Sequence, residues 1–193
     1  MLTRTSTILL EGLKDLSNGA AWQEFDARYR PLLMAVGRRL GLREADAEDA
    51  AQETVAAFLR DYREGSYSRE RGRLRDWLAG IMSHKVRDVQ RRQVREDRIL
   101  RENPPAAESA ADDRIKVVMD EEWAKATLRQ CLEEVRKEVS PQMFESFELS
   151  AMQLWPAGQV AKRLGISVDA VYQNKCRLLQ AIRELLPKME ELW

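Results

Sequence analysis

Apolar side chains recur along the chain every three or four residues, which is the spacing of an amphipathic helix. No segment sustains the two-residue alternation of a strand, and the 193 residues include only 9 Gly and 6 Pro. The pattern therefore predicts an all-α protein. The predicted helices cover about residues 7–16, 21–40, 45–62, 74–95, 115–138, 141–152, 156–164 and 168–186.

Residues 103–113 interrupt this helical pattern. They read Asn-Pro-Pro-Ala-Ala-Glu-Ser-Ala-Ala-Asp-Asp and contain no large apolar side chain. Such a composition is typical of a flexible linker. The sequence thus predicts two small helical domains, at residues 7–97 and 115–190, joined by a flexible linker at 98–114.

Charge is distributed unevenly, although the net charge is zero. Residues 67–101 carry a net charge of +6, whereas residues 102–150 carry −6. A nucleic-acid-binding protein needs a local basic face rather than a basic total, so neutrality does not exclude DNA as a partner. The acidic segment lowers non-specific binding to phosphate and is a candidate to dock on the basic helix of the same chain.

Neither a membrane span nor a metal site is predicted. Apolar runs are only a few residues long, and Glu11 interrupts the run that begins at Ile8, so we expect a cytoplasmic protein without a signal peptide or membrane insertion. Cys131 and Cys176 lie far apart, and with His84 they do not make a standard zinc site. No metal and no other cofactor is predicted.

Residues 159–179, in the C-terminal domain, have the pattern of a helix-turn-helix. Gly165 permits the left-handed backbone of a tight turn, and Ser167 is a good N-cap for the following helix. That helix should turn Val168 and Val171 inward and a polar strip outward, where it suits a DNA major groove. An ordinary helical hairpin is the alternative. The residues assigned to the strip are Tyr172, Gln173, Asn174 and Arg177.

The helix at 45–62 carries an outward strip of a different kind. Asp49, Gln52, Glu53 and Ala56 follow the i, i+3, i+4, i+7 spacing of one helix face. A charged strip is usually only a solvated surface, but the mixture of acids with Gln and a small residue also suits a protein partner.

The helix at 74–95 carries a narrow basic stripe, formed by His84, Arg87 and Arg91 opposite its apolar face. Tyr67 and Trp77 lie nearby, and basic residues with aromatic neighbours fit a surface for single-stranded nucleic acid. Trp77 fits the core equally well. His84 is not supported as a catalytic base, because no nucleophile or partner carboxylate is placed for it.

Taken in order, these segments closely resemble bacterial RNA polymerase sigma factors of the extracytoplasmic-function type. The stretch "DAEDAAQET" resembles the family's polymerase-clamp-binding segment, "RLRDWLAGIMSHKVRDVQRR" its −10-element helix, and "GISVDAVYQNKCRLL" its −35-reading helix. The resemblance covers about residues 8–95 and 123–187. It implies a non-enzymatic protein that binds core RNA polymerase and promoter DNA and directs transcription initiation.

The resemblance also implies roles for individual residues. The β′ clamp helices of the polymerase would contact Asp46, Asp49, Gln52 and Glu53, and the β subunit is a further implied partner. The loop at 65–72 would capture a flipped −10 base, the next helix would hold the strand, and the last helix would enter the −35 major groove. An anti-sigma factor is a usual partner in the family. The residues assigned to the −10 element are Ser66, Tyr67, Arg69, Arg71, Trp77, His84, Arg87 and Arg91.

Two other classes of protein remain as alternatives. A helix-turn-helix repressor or activator, with an N-terminal sensing or dimerisation domain, accounts for the helix-turn-helix but not for the acidic strip or the basic loop and helix. A recombinase would place a Ser or Tyr nucleophile near several arginines. Tyr67 does lie among Arg69, Arg71 and Arg73, but no further catalytic set accompanies it.

Overall fold

The computed structural model describes residues 6–15, 17–68, 70–98 and 109–192. Every regular element in these ranges is helical, which confirms the all-α prediction. The elements are α1 (Ser6–Gly12), α2 (Gly19–Arg39), α3 (Glu44–Arg63), α4 (Leu74–Arg98), α5 (Ser109–Glu138), α6 (Pro141–Phe147), a π-helical turn (Glu148–Met152), α7 (Ala157–Leu164) and α8 (Val168–Leu192).

The chain divides into two compact units, but the division falls inside α5. Among the described residues, those up to Ala126 form the first unit, and those from Thr127 to Leu192 form the second. The sequence had predicted that the second domain begins at 115. It had also predicted a linker at 98–114, whose residues 99–108 lie outside the described ranges, while the chain is already helical from Ser109.

The core of the first unit lies between α2, α3 and α4. Phe25 of α2 stacks on Phe58 of α3, with ring centroids 5.1 Å apart, and both rings are fully buried. The helices approach closely because the facing residues are small. A Cβ added to Gly37 of α2 would lie 3.1 Å from the Cβ of Ala47 and 3.2 Å from Met82 Cε, so this position has no room for a side chain unless its neighbours shift.

The first half of α5 belongs to the first unit because it carries an apolar face of its own. Ile115, Met119 and Trp123, spaced four residues apart, are all buried, and the Trp123 ring stacks on Tyr29 of α2 at 5.6 Å. Acidic residues beside this face pair with arginines of α2 and α4. These pairs are Glu121 and Glu122 with Arg39, and Asp120 with Arg75 at 3.0 Å.

The acidic segment therefore docks within the chain, as suggested above, but on a different surface. Asp120 pairs with Arg75 at the start of α4, within the basic segment 67–101, whereas Glu121 and Glu122 pair with Arg39 at the end of α2.

The second unit packs α8 against the helices that precede it. One apolar cluster joins Val135 of α5 and the two rings Phe144 and Phe147 to Leu178 and Ile182 of α8. A second cluster lies around the helix-turn-helix and contains Leu149, Val160, Ala161 and Val171. The long helix α8 is thus held at both its N-terminal and its central turns.

Candidate nucleic-acid and protein interfaces

The outward strip predicted for α3 is present at the surface. Asp49, Gln52 and Glu53 are exposed and Ala56 is half-buried, and the four residues together line an open depression. The opposite face of α3 is buried and consists largely of small residues, among them Ala47, Ala50 and Ala51. The local pattern therefore fixes which side chains of α3 remain available to a partner.

Two acidic residues of α3 also bridge to α4. Glu53 Oε2 lies 2.7 Å from Lys85 Nζ, and Asp46 Oδ1 lies 2.6 Å from a guanidinium nitrogen of Arg92. The second oxygen of Asp46 accepts a hydrogen bond of 3.0 Å from the amide of Gln93. Asp46 and Glu53 were assigned to a polymerase contact from the sequence, and the structure adds a second set of partners for both.

Tyr67 is not an open stacking platform in this structure. Its ring is 4% exposed, and it packs edge-on against Phe58 and Trp77, at 5.4 and 5.5 Å, with Tyr62 at 6.0 Å. The sequence suggested that Tyr67 offers a ring to an unstacked base, but in this structure the ring is covered. From sequence alone, an aromatic side chain in a loop with Gly and Ser is expected to be exposed. Here the ring of Tyr67 instead packs against Phe58 of α3 and Trp77 of α4 and anchors the loop to both helices.

The loop between α3 and α4 is tied down at both ends. Asp61 holds it twice, because its carbonyl accepts from Ser66 N at 2.8 Å and its carboxylate accepts from the indole N–H of Trp77 at 3.2 Å. Arg71 donates to the carbonyl of Ser66 at 3.3 Å. Ser66 and Arg71 are exposed, Trp77 is half-buried, and Arg69 lies outside the described residues.

The basic stripe of α4 is only partly directed to solvent. His84 and Arg91 are exposed, whereas Arg87 is half-buried and bends back to donate to the hydroxyl of Ser83 at 2.7 Å. Arg91 donates to Asp88 at 2.7 Å. This hydrogen bond is the main reason why the pKa of the Asp88 carboxyl lies below its ordinary value. The stripe can meet phosphates through His84 and Arg91 as it stands, and through Arg87 after a change of side-chain conformation.

The helix-turn-helix forms as the sequence predicted. Gly165 adopts the left-handed conformation, with φ +65° and ψ +32°, and the Ile166 N–H donates to the carbonyl of Ala161 at 3.1 Å, which closes the end of α7. The Ser167 hydroxyl accepts from the Ala170 N–H at 3.0 Å and caps α8.

The predicted polar strip lies on the outer face of α8. Tyr172, Gln173 and Arg177 are exposed and Asn174 is half-buried, so all four can contribute atoms to a surface contact. One inward prediction is wrong: Val168 is 42% exposed. It is the first residue of α8, and its position on the helical wheel does not by itself bury it.

An apolar patch on the second unit was missed by the sequence analysis. Met152, Leu154 and Trp155 are exposed immediately before α7, and the guanidinium of Arg163 lies 5.7 Å from the centre of the Trp155 ring. Leu154 is 79% exposed and has a φ of +58°, which is rare for a residue with a branched side chain. The sequence signal was available, because "LWP" places two large apolar residues outside any helical period.

Among the described residues, no helix is both long and apolar enough to cross a lipid bilayer. The same part of the chain holds no cluster of three His, Cys, Asp or Glu side chains arranged for a metal ion. Cys131 is buried and Cys176 is exposed, and neither forms a disulfide.

Two comparisons with known proteins agree with this arrangement. Residues 25–96, which hold α3, the anchored loop and most of α4, match the sequence model of the family Sigma-70 region 2. Together the two comparisons support a sigma factor, a protein that directs transcription initiation. It is 28% identical to the RNA polymerase sigma factor CarQ of Myxococcus xanthus over 172 residues, 88% of this chain and 91% of the relative, in keeping with the extracytoplasmic-function type. The sigma factor family implies core RNA polymerase and promoter DNA as partners, and its members are non-catalytic regulators.

Proposed function

We propose that the three surfaces divide the work of promoter recognition. The outer face of α3 binds the β′ clamp helices of the polymerase, the anchored loop and α4 hold the −10 strand, and α8 reads the −35 element. In functional terms, residues 7–97 act as region two, 98–114 as the linker and 115–190 as region four. The protein acts in the cytoplasm, where its polymerase is.

The observation that carries this proposal is the exposed strip of α3 beside the basic stripe of α4, both within the family match. A repressor with a sensing or dimerisation domain has no need for this pair of surfaces. The loop contributes through Ser66, Arg71 and Trp77 rather than through an open Tyr67 ring. Because the loop is held by hydrogen bonds and buried aromatic contacts, it offers a strand a surface that is ordered before DNA arrives.

The −35 element is assigned to α8 because the strip carries suitable groups. Gln and Asn side chains match adenine in the major groove, and Arg matches guanine. Gln173, Asn174 and Arg177 supply these groups on one face, with Tyr172 at their side. The apolar patch of Met152, Leu154 and Trp155 is a suitable contact for the β subunit, because apolar patches rimmed by polar residues are typical of protein interfaces.

The polymerase contact is tested most sharply at Asp49. This residue is exposed, lines the depression and takes no part in the bridges to α4. A central interface residue costs about 2 kcal/mol or more when it is lost, so Asp49→Arg should weaken binding to core polymerase about 30-fold or more. The measurement is a titration of core polymerase with the labelled full-length protein.

The matched control is Glu48→Arg, the same charge reversal at the neighbouring exposed residue, which does not line the depression. We expect this variant to bind core polymerase like the wild type. Equal binding by Asp49→Arg and the wild type, with equal helix content by circular dichroism, would show that the α3 strip is not the clamp contact.

A further inference from the structure

The two bridges between α3 and α4 connect the proposed polymerase face with the proposed strand surface. Glu53 pairs with Lys85, and Asp46 pairs with Arg92. In each pair the carboxylate belongs to the α3 residues assigned to the polymerase, and the cation belongs to the helix assigned to the DNA strand. Neither cation was assigned a role by the sequence analysis.

The two pairs share one geometric register. Asp46 and Glu53 are seven residues apart, and so are Lys85 and Arg92, so each set lies on one face of its helix two turns apart. Residue 46 pairs with 92 and residue 53 with 85, which means that the helices run antiparallel. At a rise of 1.5 Å per residue, the pairs are about 10 Å apart along the helices.

Lys85 and Arg92 lie next to the basic stripe of α4. Each follows a stripe residue by one position, Lys85 after His84 and Arg92 after Arg91. They therefore occupy the side of the stripe that faces α3. A strand that runs along His84 and Arg91 comes within reach of both long side chains, provided that the carboxylates of α3 release them.

We propose that Lys85 and Arg92 are further contacts to the DNA strand, held by Glu53 and Asp46 in the free protein and released when polymerase engages those carboxylates. This inference rests on the proposed function of α3 and α4. Solvent screens exposed ion pairs, so their strength is small and a new partner can replace them. One side chain of each pair is open to solvent, Arg92 and Glu53 at 59% each, whereas Asp46 is 17% and Lys85 29% exposed, so solvent and a new partner reach each pair from its open side.

The exchange balances charge on both surfaces. In the free protein the two carboxylates neutralise two cations of the strand surface, which lowers its attraction for phosphate. In the complex, basic groups of the polymerase take the carboxylates, and strand phosphates take Lys85 and Arg92. Binding to polymerase and binding to the strand then favour each other, since each removes a competitor for the same ion pairs.

The test uses the full-length protein without polymerase and a labelled 20-nucleotide oligothymidine as the probe. The double variant Asp46→Asn, Glu53→Gln keeps the size of both side chains but removes their charge. Each cation that becomes available to a strand adds about 0.7 to the slope of log affinity against log salt, so the slope should steepen by about 1.4. The gain in affinity over the wild type should then shrink about sevenfold between about 50 and 200 mM salt.

The control removes two charges elsewhere, with Glu48→Gln and Glu133→Gln, both exposed and outside the two pairs. It should leave the slope close to that of the wild type. Adding Lys85→Gln and Arg92→Gln to the first double variant should abolish its gain, whereas the same two changes in the wild type should alter oligothymidine binding little. Circular dichroism checks that helix content is unchanged throughout.

Three results would overturn the inference: a slope for Asp46→Asn, Glu53→Gln equal to that of the control, a gain that survives loss of both cations, or core-polymerase affinity equal to that of the wild type. Unchanged polymerase affinity would show that polymerase does not bind these two carboxylates, and so does not release the cations, even if the salt slope changes. The Asp49→Arg variant keeps both ion pairs and tests the polymerase face alone, so failure of the proposed function is distinguished from failure of this inference.

Discussion

Replacement of Tyr67 by Leu separates an anchoring role of this residue from a base-stacking role. The ring is 4% exposed and makes edge-on contacts with Phe58 and Trp77, at 5.4 and 5.5 Å. Aromatic pairs of this kind stabilise by about 0.5–1.5 kcal/mol each beyond the area they bury. Leu retains an apolar side chain but loses both pairs, so the free energy of unfolding should fall by about 1–3 kcal/mol.

The measurement is urea unfolding of the full-length protein, followed by far-ultraviolet circular dichroism. Tyr67→Phe keeps the ring and should retain both the ring contacts and strand opening at a promoter. Tyr172→Leu is the matched control, because the same replacement at a residue that is 58% exposed should change the unfolding free energy by less than about 0.5 kcal/mol.

The reasoning is refuted if Tyr67→Leu unfolds like the Tyr172→Leu control. A variant with unchanged stability that also fails to open a promoter, seen as lost permanganate reactivity of the −10 thymines, would mean that Tyr67 leaves the cluster and contacts a base directly. Loss of stability together with loss of opening is the expected result, since the ring positions the loop that holds Ser66 and Arg71.

Three further predictions concern the N-cap of α8 at Ser167, the proposed −35 contact of Arg177 and the buried carboxylate of Glu122. Ser167→Ala removes the helix-capping hydrogen bond of α8 and should cost about 1 kcal/mol, seen as a lower melting temperature; an unchanged melt would argue against the cap. Arg177→Ala should cost about 1–3 kcal/mol at one −35 base pair and relax specificity there in a promoter library, whereas uniform weakening would indicate a phosphate contact. Burial raises the pKa of the Glu122 carboxyl, but hydrogen bonds from Lys125 and Arg39 outweigh it, so that the pKa lies below its ordinary value of 4.5. The stabilisation by Glu122 is then complete above that value and is lost as the pH falls through the lower folded pKa. Glu122→Gln should therefore reduce the loss of unfolding free energy, measured in urea, as the pH is lowered. An equal loss in the variant and the wild type would contradict this prediction.

Local signals were sufficient for the helix-turn-helix. Gly165 adopts the left-handed conformation that ends α7, and the hydroxyl of Ser167 caps α8. Both effects act within a few residues of their own positions, so the local sequence is enough to predict them. The outward strips of α3 and α8 were predictable for a related reason. The period of a helix decides which side chains share a face, and the apolar face then decides which strip remains outside.

Other features depended on contacts between residues far apart in the chain. The apolar face of Ile115, Met119 and Trp123 was visible in the sequence, but its partner was not, and the compact units therefore divide after Ala126 rather than in the predicted linker. Helical periodicity shows that a helix has an apolar face to bury, but it does not show which other helix covers that face. Tyr29 decides this for Trp123 through a ring contact across 94 positions of the chain.

The amino-acid sequence by itself determined that the protein is helical, where the helix-turn-helix lies and which charges each helix carries, because these properties arise from neighbours along one helix. Tertiary structure alone decided that Tyr67 is covered, that α5 begins within the first unit, and that Glu53 and Asp46 face Lys85 and Arg92. Burial and ion pairing depend on distances between helices, and those distances are set by packing, here by small residues such as Gly37 and Ala47 that let the helices approach.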